Sequence, residues 1–185
     1  MMKKILFFNL FISFFLSSCG DDTIPKPKAQ LRLDYPNSTY GKLDGSCPFT
    51  FMVNNTAKIK SSQPCAYEIH YPKMKATIYV TYKQVNNNIN DLLRDAQKLT
   101  YDHVIKADGI STQPYINKDK KVYGMFSEVG GNAATNAQFY VTDSTKNFLV
   151  GSMYFYAKPN FDSILPAASY LKDDIRKIME TVEWK

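Results

Sequence analysis

The chain has 185 residues, a formal net charge of +6, 44% hydrophobic residues and 14% aromatic residues. That length suits one domain with a tail, and the wealth of Tyr and Phe at moderate charge argues against a disordered chain, a collagen-like fibre or a polytopic membrane protein. Two histidines and three cysteines leave little material for a metal cluster.

Met1 to Lys4 are short and basic, and Ile5 to Leu16 are almost wholly apolar. The run falls short of the ~20 residues a membrane-spanning helix needs, and it fits the hydrophobic region of a secretory signal. Leu16-Ser17-Ser18-Cys19 then has the bulky-small-small-Cys form of a bacterial lipobox. Residues 1–18 therefore read as a lipoprotein signal peptide and Cys19 as the lipidated residue. Two or three acyl chains such as palmitate, at ~0.8 kcal/mol per buried methylene, anchor a protein stably. Residues 19–30 read as the lipidated cysteine and a flexible leash, since Pro25-Lys26-Pro27 favours extended polyproline II. Residues 31–185 read as a single globular domain.

Alternating apolar and polar residues predict strands at Leu31–Tyr35, Phe49–Val53, Tyr67–Tyr71 and Ala76–Tyr82. The last two join through Pro72-Lys73 as a hairpin. Asn54 and Asn55 read as a polar loop. After Asn86-Asn87-Asn88 the period changes: Ile89, Leu92, Leu93, Ala96, Leu99 and His103 mark an amphipathic helix, with Asn88 as N-cap and Asp108-Gly109 as its stop. Runs at Lys121–Val129, Ala137–Thr142 and Phe148–Ala157 form an antiparallel meander, turned at Gly130-Gly131-Asn132 and Asp143–Lys146. A second helix follows, capped by Ser163 with Pro166 in its first turn. Its apolar face is marked by Leu165, Ala168, Leu171, Ile175, Ile178, Met179 and Val182; Asp173-Asp174 reads as a surface pair. The sum is an α+β fold, an antiparallel sheet meander with two packed helices, in an order resembling the Mog1/PsbP-type sandwich.

With Cys19 lipidated, Cys47 and Cys65 remain, and in an exported chain they pair most simply as a disulfide. The alternative is a catalytic thiol assisted by the nearby His70. The basic charge comes from 20 Lys and only 3 Arg, scattered among aspartates. That is not the clustered arginine of a nucleic-acid site, and the exported compartment excludes nucleic acid as well. Lys118-Asp119-Lys120-Lys121 reads as a solvated hairpin turn.

No His-x-x-x-His, Cys-x-x-Cys or Asp-rich calcium loop appears, so neither metal nor cofactor is expected. His70 and His103 lack a nucleophile elbow nearby. Glu68 and Glu128 are the carboxylates best placed for a glycosidase pair. Tyr67, Tyr71, Tyr79 and Tyr82 crowd one hairpin, and Phe139, Tyr140, Tyr154, Phe155 and Tyr156 crowd the meander. Such residues either fill a core or form a row that stacks on sugars or a partner.

Several blocks strongly resemble the gliding-motility lipoprotein GldD family of Bacteroidota. They are Tyr101–Asp108, Ile116–Gly124, Gly131–Ala134, Phe139–Lys146, Gly151–Phe155 and the ending Ile178–Lys185. The lipobox, Cys47-Pro48 and Gln63-Pro64-Cys65 fit as well. The resemblance implies a cell-envelope lipoprotein required for gliding and linked to type IX secretion of motility adhesins. It implies no enzymatic activity and no catalytic residues. The leading expectation is a structural or assembly component, held at a membrane by Cys19, whose partners are other motility and secretion proteins of the envelope. Gly130, Gly131, Asn132, Tyr79 and Tyr82 are the partner surface suspected first. Two rival readings stay open: a glycan- or peptidoglycan-binding module, and a small envelope hydrolase built on Glu68, Glu128 or a histidine.

Overall fold

The computed structural model describes residues 33–101, 107–131, 135–156 and 161–185. Ten strands and two helices follow in chain order. They are β1 (Tyr40–Asp44), β2 (Phe49–Asn54), β3 (Lys58–Gln63), β4 (Ala66–Tyr71), β5 (Ala76–Gln84), α1 (Ile89–Tyr101), β6 (Ala107–Asn117), β7 (Val122–Gly131), β8 (Thr135–Thr142), β9 (Asn147–Phe155), α2 (Phe161–Glu180) and β10 (Glu183–Trp184).

The strands form two sheets. The larger runs β3-β4-β5-β9-β8-β7-β6, and the smaller runs β1-β2-β10, every pairing antiparallel. After β5 the chain crosses through α1 to the far edge, then returns strand by strand from β6 to β9 until β9 lies beside β5. This is the expected antiparallel meander with two helices, enlarged by strands the patterning did not mark.

Side-chain alternation sorts the large sheet into two faces. Ile69, Ile78, Val80, Phe126, Phe139, Val141, Leu149 and Met153 point inward, where Phe49, Phe51 and Val53 of β2 and Leu171, Ile175, Ile178 and Met179 of α2 close over them. The opposite face carries a smaller core, where Leu92 and Ala96 of α1 meet Phe148, with Tyr140 and Val150 at its margin. Helix α1 begins as the sequence suggests: the Asn88 carbonyl accepts from the N–H groups of Asp91 (3.0 Å) and Leu92 (3.1 Å). Its side chain, however, turns back to accept from the Asn86 N–H at 2.8 Å instead of capping the helix.

Several expectations are corrected. Leu33 to Tyr35 form no strand; Leu33 and Tyr35 lie against the main core without joining a ladder. Asn54, expected in a loop, is the last residue of β2 and is buried. Strand β6 already includes Asp108-Gly109, expected to stop the first helix, whereas α1 ends at Tyr101. Helix α2 starts at Phe161, so Ser163 lies inside it, and Pro166 falls beyond the first turn. Leu165, expected on the buried face, is 41% exposed, because Ile164, Ala167 and Ala168 take the inward positions.

The cysteines do pair. Cys47 and Cys65 are bonded, with Cα atoms 5.5 Å apart. The first lies in the β1–β2 connection of the small sheet, and the second in the β3–β4 turn of the large one, at a positive φ of 59°. The bond therefore ties one sheet to the other. The Lys118–Lys121 segment is the expected turn, between β6 and β7, and Lys120 reaches Glu183 at 2.8 Å.

Candidate functional site

The outward face of the large sheet is only partly covered by α1. Strand β5 sends Thr77, Tyr79, Thr81 and Lys83 to that side, and β9 sends Val150, Ser152 and Tyr154, because the two strands pair in register (Thr77 with Tyr154, Tyr79 with Ser152, Thr81 with Val150). Between these residues and the α1 side chains Leu92, Asp95, Ala96 and Leu99 lies an open cleft of about 510 Å³. Its aromatic wall is built: Tyr79 and Tyr154 meet edge-to-face at 5.7 Å and 76°. The exposed Tyr156 hydrogen-bonds its hydroxyl to that of Tyr79. This bond, then burial, pushes the Tyr79 phenol up to about 12.

Beside the aromatic wall, β4 and β5 align Glu68, His70 and Thr77. His70 Nε2 lies 3.1 Å from Glu68 Oε2, and Nδ1 lies 2.8 Å from Thr77 Oγ1. In the neutral tautomer that satisfies both contacts, Nε2–H donates to the carboxylate and the threonine hydroxyl donates to Nδ1. The order carboxylate, imidazole, hydroxyl has the logic of an activated nucleophile. Thr77, however, is 0% exposed, so no substrate reaches its oxygen. The chain of bonds fixes the His70 ring at the margin of the aromatic surface. Glu128 does not join it: this carboxylate lies under α2, accepting from Lys172 Nζ at 3.0 Å and Arg176 at 3.1 Å. The two glutamates considered as a glycosidase pair are therefore held apart, each with its own partners. No group of three His, Cys, Asp or Glu capable of holding a metal occurs among the described residues.

The expected partner surface divides. Tyr79 lines the cleft, but Tyr82 faces the other way, stacked on Phe49 at 5.5 Å and donating to Asn147 Oδ1 at 2.9 Å. Gly130 borders a separate notch beside α2, and Gly131 ends β7 at a φ of 83°. Cys19, His103 and Asn132 lie outside the described residues. The crowded aromatics split the same way: Tyr67, Tyr71, Phe139 and Phe155 belong to the main core, while Tyr140 and Tyr154 take the outer face.

A second polar constellation was not anticipated. Asp174, read as half of a surface pair, is 1% exposed. It accepts from the Tyr40 hydroxyl at 2.7 Å and from Asn54 Nδ2 at 2.9 Å. The same amide nitrogen lies 3.1 Å from the Tyr170 hydroxyl, which donates to the Pro36 carbonyl at 3.0 Å. The cluster clasps the entering segment, β1, β2 and α2 together. Burial, then the Asp174 bond, pushes the Tyr40 phenol up to about 12. The signal was present in the spacing, since 171, 174, 175 and 178 lie on one helical stripe.

The described residues form an α+β fold of antiparallel sheets and two helices, tied by the Cys47–Cys65 disulfide and carrying an aromatic cleft on one face. The sequence matches the family model described as gliding motility lipoprotein GldD over residues 20–184, and the chain belongs to that family. No curated protein sequence matches significantly. The family places the protein in gliding motility, as a lipoprotein of the cell envelope. No helix of the described residues is long and apolar enough to cross a membrane.

Proposed function

We propose that this lipoprotein is anchored through acyl chains at Cys19 and acts by protein contact, without catalysis, as an assembly component linked to type IX secretion of motility adhesins. The observation that carries this reading is the family match across residues 20–184. It spans the described fold from residue 33 to residue 184. Confinement to a membrane raises the effective concentration of a domain toward neighbouring envelope proteins, which suits a protein that works by contact. The buried Thr77 hydroxyl weighs against the hydrolase reading.

Cross-linking of intact cells carrying a tagged protein, beside a Cys19→Ala control, tests this. Capture of motility or secretion components by the wild type, lost in the control, supports it; capture of bulk envelope proteins alone overturns it.

A second reading is favoured by the Tyr79–Tyr154 wall, to which Tyr156 adds an exposed ring. Aromatic faces ringed by hydroxyl and charged groups bind sugar rings by stacking. In that reading the cleft holds a glycan, and calorimetric titration with peptidoglycan fragments gives a saturable isotherm that Tyr79→Ala abolishes.

A further inference from the structure

One end of the large sheet carries a third opening, away from the aromatic cleft and from the notch beside α2. Strand β4 closes there at Tyr71, a single tight turn covers Pro72–Met74, and β5 opens at Ala76 opposite Phe155 of β9. Beside that turn lies a pocket of about 380 Å³. The buried Tyr71 and Met74 give it an apolar lining. Its remaining wall is charged, with Lys58 from the start of β3, Lys73 from the turn and Asp34 from the entering segment, all exposed. Neither lysine nor Asp34 takes part in an ion pair among the described residues, although Lys42, Lys120, Lys172 and Lys185 do.

The position of this pocket says what it meets. Asp34 and Pro36 line it and stand at the start of the described chain, so it opens where the leash enters the fold. The 14 residues from Cys19 to Arg32 reach at most about 50 Å. Acyl chains at Cys19 therefore keep the pocket close to a bilayer. The same end of the sheet carries a further exposed cation, Lys75, and the 60% exposed Tyr156, whose N–H donates to the Lys75 carbonyl at 2.8 Å. Lysines with apolar stems and exposed tyrosines suit the interfacial zone of a membrane, where the phosphates lie. Asp34 narrows the ligand. It would repel a headgroup that carries phosphate alone, and it complements one that also carries a primary ammonium.

We propose that this pocket binds the headgroup of a membrane phospholipid, with Lys58 and Lys73 on the phosphate and Asp34 on a primary ammonium, as phosphatidylethanolamine presents them. The bound headgroup turns this end of the sheet toward the bilayer. The β6–β7 and β8–β9 turns, at the opposite end, then face away from it. The proposal rests on the anchoring at Cys19 proposed above and names the surface that the anchor brings to the membrane.

The test uses the mature lipidated chain in nanodiscs of phosphatidylcholine, with and without added phosphatidylethanolamine, each containing a lipid with a nitroxide on its headgroup. Phosphatidylcholine supplies the phosphate, but its quaternary ammonium has no proton to donate to Asp34. Amide signals broadened by the nitroxide are read by NMR. Broadening is expected at residues 34, 56–58 and 73–75, stronger with phosphatidylethanolamine, and not at the turns 118–121 and 143–146. In Lys58→Gln/Lys73→Gln the docked fraction is expected to fall by about tenfold or more, as loss of charge-assisted hydrogen bonds implies. Lys58→Arg/Lys73→Arg keeps the charge and is expected to keep the broadening, as is Lys118→Gln/Lys146→Gln at the far end. All four positions are exposed, so the fold tolerates these changes. The proposal is overturned if the broadening is equal at both ends, indifferent to phosphatidylethanolamine, or unchanged in the glutamine variant. Absence of broadening at the pocket in both discs overturns it too, and leaves the pocket to a soluble partner. The mass of the same mature chain separates the two failures. Acyl chains on Cys19 without broadening at the pocket leave the anchoring standing and remove the headgroup site; an unacylated Cys19 removes both.

Discussion

Asp174 shows how much one side chain can organise. Its carboxylate gathers Tyr40 from β1 and Asn54 from β2 against α2, at a position where water is excluded. Asp174→Ala removes the acceptor shared by the half-buried Tyr40 hydroxyl and the buried Asn54 amide, and denaturant unfolding is expected to show a loss of about 2–4 kcal/mol. Tyr40 holds its proton longer in the folded protein than in the unfolded chain, so its contribution is intact below pH 10. It is lost as pH climbs toward 12. Alkaline denaturation followed by tyrosine absorbance is expected to begin in that window, with a shallower slope in Tyr40→Phe. Asp143 has the opposite sign. Burial alone would raise its carboxyl, but the N–H groups of Asn147, Lys146 and Thr145 more than offset this and hold it below the usual range. Its contribution is present above the ordinary carboxylate range and fades as pH falls below it. Asp143→Ala is expected to cost about 1–2 kcal/mol at neutral pH and to flatten the acid limb of the stability curve. Parity and spacing bear on what could be read beforehand. Tyr79 and Tyr82 are an odd number apart on one strand, so a period of two already assigns them to opposite faces.

Elements with one buried face were legible; elements without one were not. Strands β2, β4, β5, β7, β8 and β9 and both helices alternate or cycle because the core selects every second residue or one helical stripe. Strand β3 (Lys58-Ile59-Lys60-Ser61-Ser62-Gln63) is exposed at every position, so its register is held by β4 without apolar alternation. Strand β6, at the other edge, contains Pro114 and is mostly exposed, so no apolar alternation marks it. Conversely, Leu33 and Tyr35 alternate and contact the core with no partner strand. Gly124 shows a different constraint: a Cβ there would collide with the Tyr140 carbonyl of the neighbouring strand. At the level of connections, reduction of Cys47–Cys65 frees the loop that spans β2 and β3. It is expected to lower stability by about 3 kcal/mol, read as a shift in the urea midpoint with and without reductant.

Across the whole molecule, the large sheet separates two surfaces that share few atoms. The aromatic cleft lies on the α1 side, and the notch at Gly130 lies beside α2. Substitutions on the two sides should therefore act independently. Leu92→Ala, expected to cost about 2–4 kcal/mol in the smaller core, and Asp174→Ala are expected to add within about 0.5 kcal/mol in a double variant studied by urea unfolding. The family fixes an envelope setting, and there the placement of the disulfide acquires a mechanical meaning. With the proposed anchoring through Cys19, a pull from the N-terminal side enters the described fold along residues 33–46 and then meets Cys47, which passes the tension through the covalent bond to Cys65 at the start of β4. Strand β1 can be stripped away, but β2 and β3 lie inside the closed loop and carry none of the pull. At ~3.3–3.6 Å per residue the stretch ahead of Cys47 yields at most about 50 Å before the load reaches the large sheet. A pull from the N-terminal side thus meets a built-in stop, and the sheet that holds both the cleft and the notch is reached only through the covalent bond.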